Sequence, residues 1–279
     1  MQGRTALITG ATNGIGRVAA LAIAKVGYRI LLTARAAGRG EAMAAELRQA
    51  GASDAIVLHG DLARQEDIRR IAAEARRLAP QLDLLVNNAG AFFMRRAVSS
   101  DGIEMTFATN HLSYVLLTLE LLDTLKAAGR ARIVNTASYA HTRATLDFDD
   151  LEFRRGYGGW PAYCRSKLGN VMFTYALARR LEGTGVTANC HHPGFVDTAI
   201  GNNNAWPVAA LFGVFKRWRG ITPEEGARGM IALALDPAFD GRTALYVDKG
   251  TVAPSSPLSR DAALQERLWE VSLRMTGLA

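Results

Sequence analysis

Short apolar runs recur along almost the whole chain, and polar or glycine-rich residues separate them. Continuous apolar runs of about four to eight residues are typical of strands buried on both faces, as in a parallel sheet. We therefore predict strands at 5–9, 28–33, 55–58, 82–86, 131–136, 186–190 and 244–247, the last being the final strand of the chain.

Longer stretches with apolar residues at every third or fourth position separate these runs and predict helices. Four of them cover 14–27, 41–50, 64–78 and 99–125. A fifth carries Tyr163 and ends at Leu181, a sixth starts at Thr222-Pro223, and the last covers 261–275. Strands that alternate with helices predict an α/β fold with a doubly wound parallel sheet of the Rossmann type. In such a sheet, ligands bind at the carboxyl ends of the strands.

The length of 279 residues allows one large or two small domains. No linker rich in Pro, Gly or Ser divides the chain, so we expect a single domain over residues 1–279. Hydrophobic residues make up 49% of the chain and charged residues 21%. This is enough apolar material for a large core without disulfide support.

The formal net charge of +7 would permit a nucleic acid or an anionic surface as partner. The Arg residues, however, are scattered along the chain, and no basic stripe interleaved with aromatic residues is present. A preference for Arg over Lys in an Ala-rich chain accounts for the charge, and we expect no nucleic-acid partner.

The chain has two cysteines, Cys164 and Cys190, which are too few for a disulfide framework. We expect reduced thiols in a cytoplasmic protein. Residues Met1 to Arg4 lead straight into the first apolar run and lack the long uncharged segment of a signal peptide or membrane span. We therefore expect no membrane crossing.

A glycine-rich turn follows the first predicted strand. Its glycines have the spacing G-x-x-x-G-x-G and stand directly before a helical pattern. Glycine lets the backbone approach a pyrophosphate closely, and the amides of a helix N-terminus point at its charge. A purely structural turn is the alternative. We predict dinucleotide binding by Gly10, Thr12, Asn13, Gly14, Ile15 and Gly16.

The second predicted strand runs into Ala34-Arg35. A dinucleotide-binding unit that takes NAD usually has an acidic residue here, which binds the ribose hydroxyls. Arg35, helped by Arg39, could instead pair with a 2′-phosphate through charge-assisted hydrogen bonds, which favours NADP(H) over NAD(H). The alternative is that both are solvated arginines at the start of a helix.

Two further strand ends carry polar residues. Asp61-Leu62 follow the third strand and could touch the adenine, although Asp61 could equally cap the helix 64–78. Asn87-Asn88-Ala89-Gly90 follow the fourth strand, where amide side chains could fix neighbouring backbone while a ligand passes close by. The same sequence is also simply a good turn. We include Asn88, Ala89 and Gly90 in the predicted cofactor site.

Asn110 lies among apolar residues of the predicted helix 99–125. A buried amide without partners would cost about 1–3 kcal/mol, so Asn110 must find them. A core Asn and one that holds a functional water are indistinguishable at this level. Ser138 is delivered by the end of the fifth strand.

Tyr163 and Lys167 are four residues apart, so they lie about one turn apart on one face of a helix. A phenol has an ordinary pKa near ~10, and a fixed positive charge nearby lowers it. We therefore predict that Lys167 brings the pKa of Tyr163 towards neutrality, where the phenol can give or take a proton. An apolar Tyr beside a solvated Lys is the alternative.

The sixth strand leads into His191-His192-Pro193-Gly194. No third ligand has suitable spacing, so we expect no metal site. Residues 195–220 combine five large apolar side chains with a basic end and predict a substrate lid. A membrane-surface amphipathic helix, making peripheral contact with lipid, is the alternative.

Taken in order, these residues closely resemble the short-chain dehydrogenases/reductases, and the resemblance covers nearly the whole chain. A narrower set, including Ser138-(x)2-His141 and Leu268-Trp269-Glu270, is similar to the retinol dehydrogenase-like and WW-domain-oxidoreductase-like branch. The wider resemblance is carried by Thr9-Gly10-(x)3-Gly14-Ile15-Gly16, Asn87-Asn88-Ala89-Gly90, Asn110, Ser138, Tyr163-(x)3-Lys167 and Pro193-Gly194.

The resemblance implies NADP(H)-linked interconversion of an alcohol and a carbonyl on a mainly apolar small molecule. It makes Tyr163 the general acid and base, Lys167 its neighbour and a binder of the nicotinamide ribose, Ser138 the donor that polarises the carbonyl, and Asn110 the anchor of a water relay. It adds cofactor contacts from Tyr163, Lys167, Pro193, Gly194, Val196 and Thr198.

Members of the family commonly pair through the helices that carry Asn110 and Tyr163, which suggests a homodimer, although these branches also contain monomers. A sensor or scaffold that binds NADP(H) without chemistry is an alternative function. It would be expected to lose Ser138, Tyr163 or Lys167, and all three are present. An epimerase or dehydratase would generally have another glycine spacing and a longer substrate domain.

Overall fold

The computed structural model describes residues 3–194 and 221–279, and an eight-stranded sheet lies at its centre. The strands are β1 (Thr5–Ile8), β2 (Arg29–Ala34), β3 (Asp54–His59), β4 (Leu84–Asn87), β5 (Arg132–Thr136), β6 (Thr187–His192), β7 (Tyr246–Asp248) and β8 (Thr251–Ala253). Their order is β3-β2-β1-β4-β5-β6-β7-β8. The first seven are parallel, so their carboxyl ends share one edge of the sheet.

Helices cover both faces of this sheet. The helices are α1 (Gly14–Lys25), α2 (Ala37–Gln49), α3 (Gln65–Leu78), α4 (Met105–Phe107), α5 (Ser113–Glu120), α6 (Leu122–Ala127), α7 (Gly159–Arg180), α8 (Pro223–Leu235) and α9 (Ala262–Thr276). Side chains of α1, α2 and α8, such as Ile23 and Met230, form the core on one face. Those of α3, α5 and α7, such as Ile71 and Leu177, form the core on the other. The predicted doubly wound, single-domain α/β fold is confirmed.

The start of the predicted helix 99–125 is wrong. Residues 98–104 form a turn closed by a bridge between Val98 and Glu104, with Gly102 at a φ of 78°. The carboxylate of Glu104 accepts hydrogen bonds from the amides of Thr106 (2.8 Å) and Phe107 (2.7 Å) and so caps α4. The helix therefore begins at Met105. A π-helical turn, Ala108–Leu112, then separates α4 from α5.

Two other boundaries also differ from the prediction. α2 begins at Ala37, before the predicted residue 41, despite the glycines in its first turn. β7 is followed by an antiparallel strand, β8, so 244–247 is not the final strand. The hairpin turns at Lys249 (φ 49°) and Gly250 (φ 93°). A three-residue strand carries too little apolar pattern to be recognised in sequence.

Within residues 3–194 and 221–279, no helix combines the length and apolarity needed to cross a bilayer. Cys164 and Cys190 are both buried free thiols. Residues 195–220, where the sequence predicts a lid, lie outside the described residues.

Candidate active site

The glycine-rich turn connects β1 to α1, and the side chain of Asn88, which directly follows β4, hydrogen-bonds to it. Gly10 has a φ of 68°, which favours glycine. The Asn88 amide nitrogen donates to the carbonyls of Thr9 (3.1 Å) and Gly10 (3.2 Å). A Cβ on Gly16 would overlap the Gly10 carbonyl oxygen. The turn is therefore packed so closely that the start of α1 tolerates only glycine at Gly16.

The hydroxyl of Thr9 ties the ends of β1 and β4 together. It accepts hydrogen bonds from the amides of Asn88 (2.8 Å) and Ala89 (3.0 Å) and donates to the Val86 carbonyl (3.3 Å). This role of Thr9 was not predicted from the sequence, although a hydroxyl directly before the first glycine is a visible signal. The predicted function of Asn88, fixing neighbouring backbone, is thus shared with Thr9.

Asn13 caps α1, since its side-chain oxygen accepts from the Gly14 amide at 2.7 Å. Ile15 and Gly16 are buried, whereas Thr12 is half-buried and Asn13 exposed. The free amides of a 12-residue helix therefore open towards the glycine turn. This is an arrangement that fits a phosphate group.

Arg35 and Arg39 are both exposed, at the end of β2 and in the first turn of α2. Neither guanidinium forms an ion pair or hydrogen bond with another of the described residues. Since no carboxylate neutralises them there, their charges are available to an anion. Both the 2′-phosphate interpretation and that of solvated arginines remain compatible with this geometry.

Asp61 does not cap the helix that follows it, so that alternative is wrong. Its carboxylate accepts from the Ala63 amide (3.0 Å) and so closes a turn before α3. The first amide of α3, from Gln65, donates instead to Asp101 (2.9 Å), a residue 36 positions away. Leu62 is 8% exposed and packs into the core on the α3 face. Adenine contact by Asp61 and Leu62 stays a prediction.

Asn110 lies in the π-helical turn and is fully buried. Its side chain exchanges two hydrogen bonds with the backbone of Ala91 (2.8 and 2.9 Å) and donates to the Ser166 hydroxyl (3.1 Å). A Cβ on Gly90 would lie 3.3 Å from the Asn110 side-chain oxygen and 3.6 Å from Lys167 Nζ. Gly90 therefore permits the close approach of Asn110 and Lys167.

Ser138 follows β5 and caps the short 3-10 helix Tyr139–Arg143. Its hydroxyl oxygen accepts from the Ala140 amide at 3.2 Å. Because an amide can only donate, this bond uses a lone pair and leaves the hydroxyl proton free. Ser138 can therefore donate a hydrogen bond to an oxygen placed before it.

Tyr163 and Lys167 both lie on α7, but the pKa of Tyr163 is not lowered as predicted. Burial raises the pKa of Tyr163 to about 12, and hydrogen bonding with Ser138 only partly opposes this. Burial also lowers the pKa of Lys167 to about 7. The Lys167 Nζ donates to the Thr136 carbonyl (3.0 Å) and lies 5.8 Å from the Tyr163 ring centroid. The predicted fall in the pKa of Tyr163 is wrong here, because burial raises this pKa and Lys167 is not among the groups that lower it.

Two aromatic rings frame Tyr163. Phe92 meets its ring edge-on at 5.7 Å, and Trp160 stacks on it at 6.0 Å with an interplanar angle of 24°. Trp160 is 55% exposed, so the frame faces outward. Neither Phe92 nor Trp160 was predicted from the sequence. For Trp160 a signal was present, since its three-residue spacing from Tyr163 places both on one helix face.

A buried chain of polar side chains crosses the sheet beneath the site. The Asn87 amide donates to Thr118 and to Asn135, and the Asn135 amide donates to Thr174, each at 2.9 Å. This chain joins α5, β4, β5 and α7. Such a connected network holds α7, which carries Tyr163 and Lys167, and α5, which follows the turn of Asn110, in fixed relation to the sheet.

At the exit of β6, the Gly194 amide donates to His192 (3.4 Å), and the His191 ring bonds the Thr136 hydroxyl (3.1 Å). Gly194 has a φ of 94°, and Pro193 and Gly194 end the first described range. Val196 and Thr198, predicted to bind the cofactor, lie outside the described residues. Among the residues that the structure describes, no group of three or more His, Cys, Asp or Glu could hold a metal ion.

Residues 4–207 match the family described as short chain dehydrogenase. Retinol dehydrogenase 14 from Homo sapiens is 37% identical over 294 residues, which span 100% of this chain and 88% of that protein. A solved structure of an uncharacterised protein from Mycobacterium paratuberculosis has a TM-score of 0.78 and 31% identity, covering 99% of this chain and 94% of that one.

A structure described as the Pseudomonas aeruginosa RhlG/NADP active-site complex is also similar. It has a TM-score of 0.69 and 26% identity, covering 89% of this chain and 95% of that one. Each of these proteins is similar to this chain over most of its length.

Proposed function

Since this chain belongs to the short-chain dehydrogenase family, we propose that it uses NADP(H) and has Tyr163 as general acid and base. As an oxidoreductase that acts on CH–OH or C=O groups, it would take an apolar alcohol or carbonyl as substrate. The observation that carries the proposal is the meeting of four side chains at the carboxyl ends of β4 and β5. These are Asn110, Ser138, Tyr163 and Lys167.

The residues around the glycine turn fit a dinucleotide. A Cβ at Gly16 would fill the space beside Gly10, and the N-terminus of α1 opens onto it. Arg35 and Arg39 would meet a 2′-phosphate with charges that no described carboxylate neutralises. Since one similar structure is a complex with NADP, we favour NADP(H) over NAD(H).

When bound, the nicotinamide supplies or accepts the hydride. Ser138 would donate a hydrogen bond to the substrate oxygen. Its bond from the Ala140 amide uses only a lone pair, and the substrate oxygen would replace Tyr163 as the partner of its hydroxyl proton. Tyr163 would exchange a proton with the same oxygen. Two hydroxyls that converge on this oxygen stabilise the negative charge that develops on it.

Lys167 and Asn110 would act beside these hydroxyls. Lys167 has a pKa of about 7, so near neutral pH it can hold or release a proton. We assign it the ribose contact and the exchange of protons with Tyr163. Asn110, bonded to Ala91 and Ser166, would fix the π-helical turn against Gly90, and the water relay anchored there is part of the proposal.

The raised pKa keeps Tyr163 in the protonated form from which carbonyl reduction starts. Reduction requires a protonated phenol that donates to the developing alkoxide, and a pKa of about 12 keeps the phenol protonated at neutral pH. Oxidation would require its anion, which burial opposes.

The surroundings of Tyr163 support an apolar substrate. Phe92 and Trp160 frame its ring, and Tyr139, beside Ser138, is 55% exposed. Retinol dehydrogenase 14 is named for an apolar alcohol. The lid predicted at 195–220 lies outside the described residues, and its contact with a membrane is a further outcome to test.

Pairing of two copies through the helices that carry Asn110 and Tyr163 stays a prediction, as does a cytoplasmic location. α9 already covers part of that face: Trp269 stacks on Phe173 at 5.6 Å, and Ser272 bonds His111 at 2.9 Å. A dimer there would have to include α9 or displace it. Light scattering of the purified protein measures which state forms.

The function is tested by fluorescence titration with NADPH and NADH, followed by a screen of apolar aldehydes and ketones for cofactor oxidation. We expect tighter binding of NADPH and turnover of at least one apolar carbonyl. Tight NADPH binding without turnover of any carbonyl or alcohol would favour a sensor or scaffold. Binding of neither cofactor would contradict the proposal.

A further inference from the structure

His141 is a buried histidine that contacts the backbone of Ser138. It is 2% exposed. One ring nitrogen, Nδ1, lies 2.7 Å from the Ser138 carbonyl oxygen. The other, Nε2, lies 3.0 Å from the backbone amide of Ser256. The imidazole therefore links the segment around Ser138 to Ser256, which lies 115 positions after His141 in the chain.

These two partners fix the protonation state of the ring. A carbonyl oxygen can only accept a hydrogen bond, so Nδ1 must carry the proton. A backbone amide can only donate, so Nε2 must offer a lone pair. His141 is therefore neutral, in the Nδ1–H tautomer, and a second proton on Nε2 would face the Ser256 amide proton.

The bridge connects the turn that carries Ser138 to the helix that carries Tyr163. Ser256 follows Ser255, whose hydroxyl accepts a hydrogen bond from Tyr175 at 2.7 Å. Tyr175 lies on α7, the helix that also carries Tyr163. From Ser138 the contacts thus run through His141 and the 255–256 backbone to the helix of the proposed general acid.

We propose that His141 is a positioning residue: its neutral imidazole joins the Ser138 turn to Ser256 and so holds the Ser138 hydroxyl in place relative to Tyr163. This inference rests on the proposed function, since it gives Ser138 its role in the reaction. The Ser138 carbonyl also accepts from the His141 amide (3.1 Å), so one residue holds it twice. Loss of the ring would leave only the local bond of a five-residue 3-10 helix.

The bridge is sensitive to acid. The groups that face the ring are Tyr246, with ring centroids 5.0 Å apart, together with Asp248 and His192. Burial lowers the pKa of His141, and the Asp248 charge opposes this in part. His141 is therefore neutral at pH 7 and becomes protonated as the pH falls through its lowered pKa. Protonation breaks the bond to Ser256, and turnover declines with it.

Three variants separate positioning from mere packing. His141→Phe keeps a flat ring without either nitrogen, and His141→Asn keeps an amide donor that can reach the Ser138 carbonyl. His59→Gln is the control, because His59 is a half-exposed histidine on β3. All are compared at saturating NADPH with the carbonyl substrate found in the screen, and thermal unfolding verifies that each is folded.

We expect His141→Phe to lower kcat about 10- to 100-fold while KM changes less than about threefold, since misplacement of about 1 Å can cost about 100-fold. His141→Asn should recover part of kcat. Its acidic decline should be shallower than that of His59→Gln, because one titrating group is removed while Lys167 still titrates. A kcat of His141→Phe within about twofold of wild type would overturn the proposal. An unchanged acidic limb in His141→Asn would do the same.

Nitrogen-15 NMR of histidine-labelled protein tests the bridge without any turnover. The signal that disappears in His141→Asn should show the Nδ1–H tautomer at pH 7. An Nε2–H tautomer or an imidazolium would overturn the bridge even if the enzyme is active. The expected tautomer in a protein that turns over no carbonyl would instead contradict the proposed function and leave the bridge intact.

Discussion

Mild acid should destabilise this protein, because four of its histidines, His111, His141, His191 and His192, are buried without charge. His111 and His191 are fully buried, and His192 is 6% exposed. Burial lowers their pKa values to about 4 for His111, about 3 for His191 and about 4 for His192. In the unfolded chain each would titrate near ~6.5. Between these limits the unfolded state binds the proton and the folded state does not.

The sign and size of the effect follow from proton linkage. Stability rises with pH wherever the unfolded state binds more protons, so it is lost as the pH falls below ~6.5. One proton is worth about 1.4 kcal/mol per pH unit. From about pH 6.5 to about pH 5, each histidine then costs about 1.5 kcal/mol of unfolding free energy, or roughly 4–5 kcal/mol for three. The pKa of His141 is also lowered and adds in the same sense.

One buried carboxyl acts in the opposite sense. Burial raises the pKa of Glu104, so the folded state takes up its proton first and gains stability as the pH falls. This offsets a part of the histidine effect near the acid end of the range. A total of about 5–15 kcal/mol is typical for a folded domain, so the expected loss is a large fraction of it.

Urea denaturation at a series of pH values measures this effect as the slope of unfolding free energy against pH. His111→Gln is the matched variant. The Ser272 hydroxyl donates to the Leu268 carbonyl, so it accepts from the His111 ring, and glutamine can donate to it in the same way but does not titrate. Its slope should fall by about one proton, whatever its absolute stability. A flat profile between about pH 6.5 and about pH 5, or equal slopes in both proteins, would refute the reasoning.

Two further substitutions test the proposed cofactor site. Gly16→Ala should weaken NADPH binding at least about tenfold, or about 1.4 kcal/mol, because the added methyl group displaces the Gly10 carbonyl. Gly38→Ala is the control, since its methyl group enters open space on α2. Equal NADPH dissociation constants for the two variants would contradict the account. Arg35→Ala should raise the dissociation constant for NADPH about 10- to 100-fold, because a charge-assisted hydrogen bond is worth about 1.5–3 kcal/mol. The dissociation constant for NADH should stay within about threefold of wild type. An equal effect on both cofactors would contradict the 2′-phosphate role.

Much of the fold could be predicted because strand patterns are local. The seven parallel strands lie within two residues of their predicted starts, and sheet geometry then brings Gly10, Asn88 and Ser138 to one edge. Asn110 and Lys167 meet for the same reason, since their helices pack on that face. The start of α4 was missed because an apolar pattern does not show which carboxylate will cap the helix.

The rest depended on contacts between distant residues or on burial. The bond from Ser256 to His141 spans 115 positions, and no local pattern announces it. The pKa of Tyr163 depends on how much water its ring loses, which spacing along a helix cannot give. β8 has only three residues, and its pairing with β7 is decided by the turn at Lys249 and Gly250.

The central claim is that Tyr163 delivers the proton during carbonyl reduction. Its most direct test is the single-turnover rate of NADPH oxidation by the carbonyl substrate, in wild type and in Tyr163→Phe. We expect the variant to bind NADPH within about twofold of wild type and to lose at least about 100-fold in rate, the usual contribution of a general acid. A variant that keeps its rate within about threefold of wild type would contradict the account.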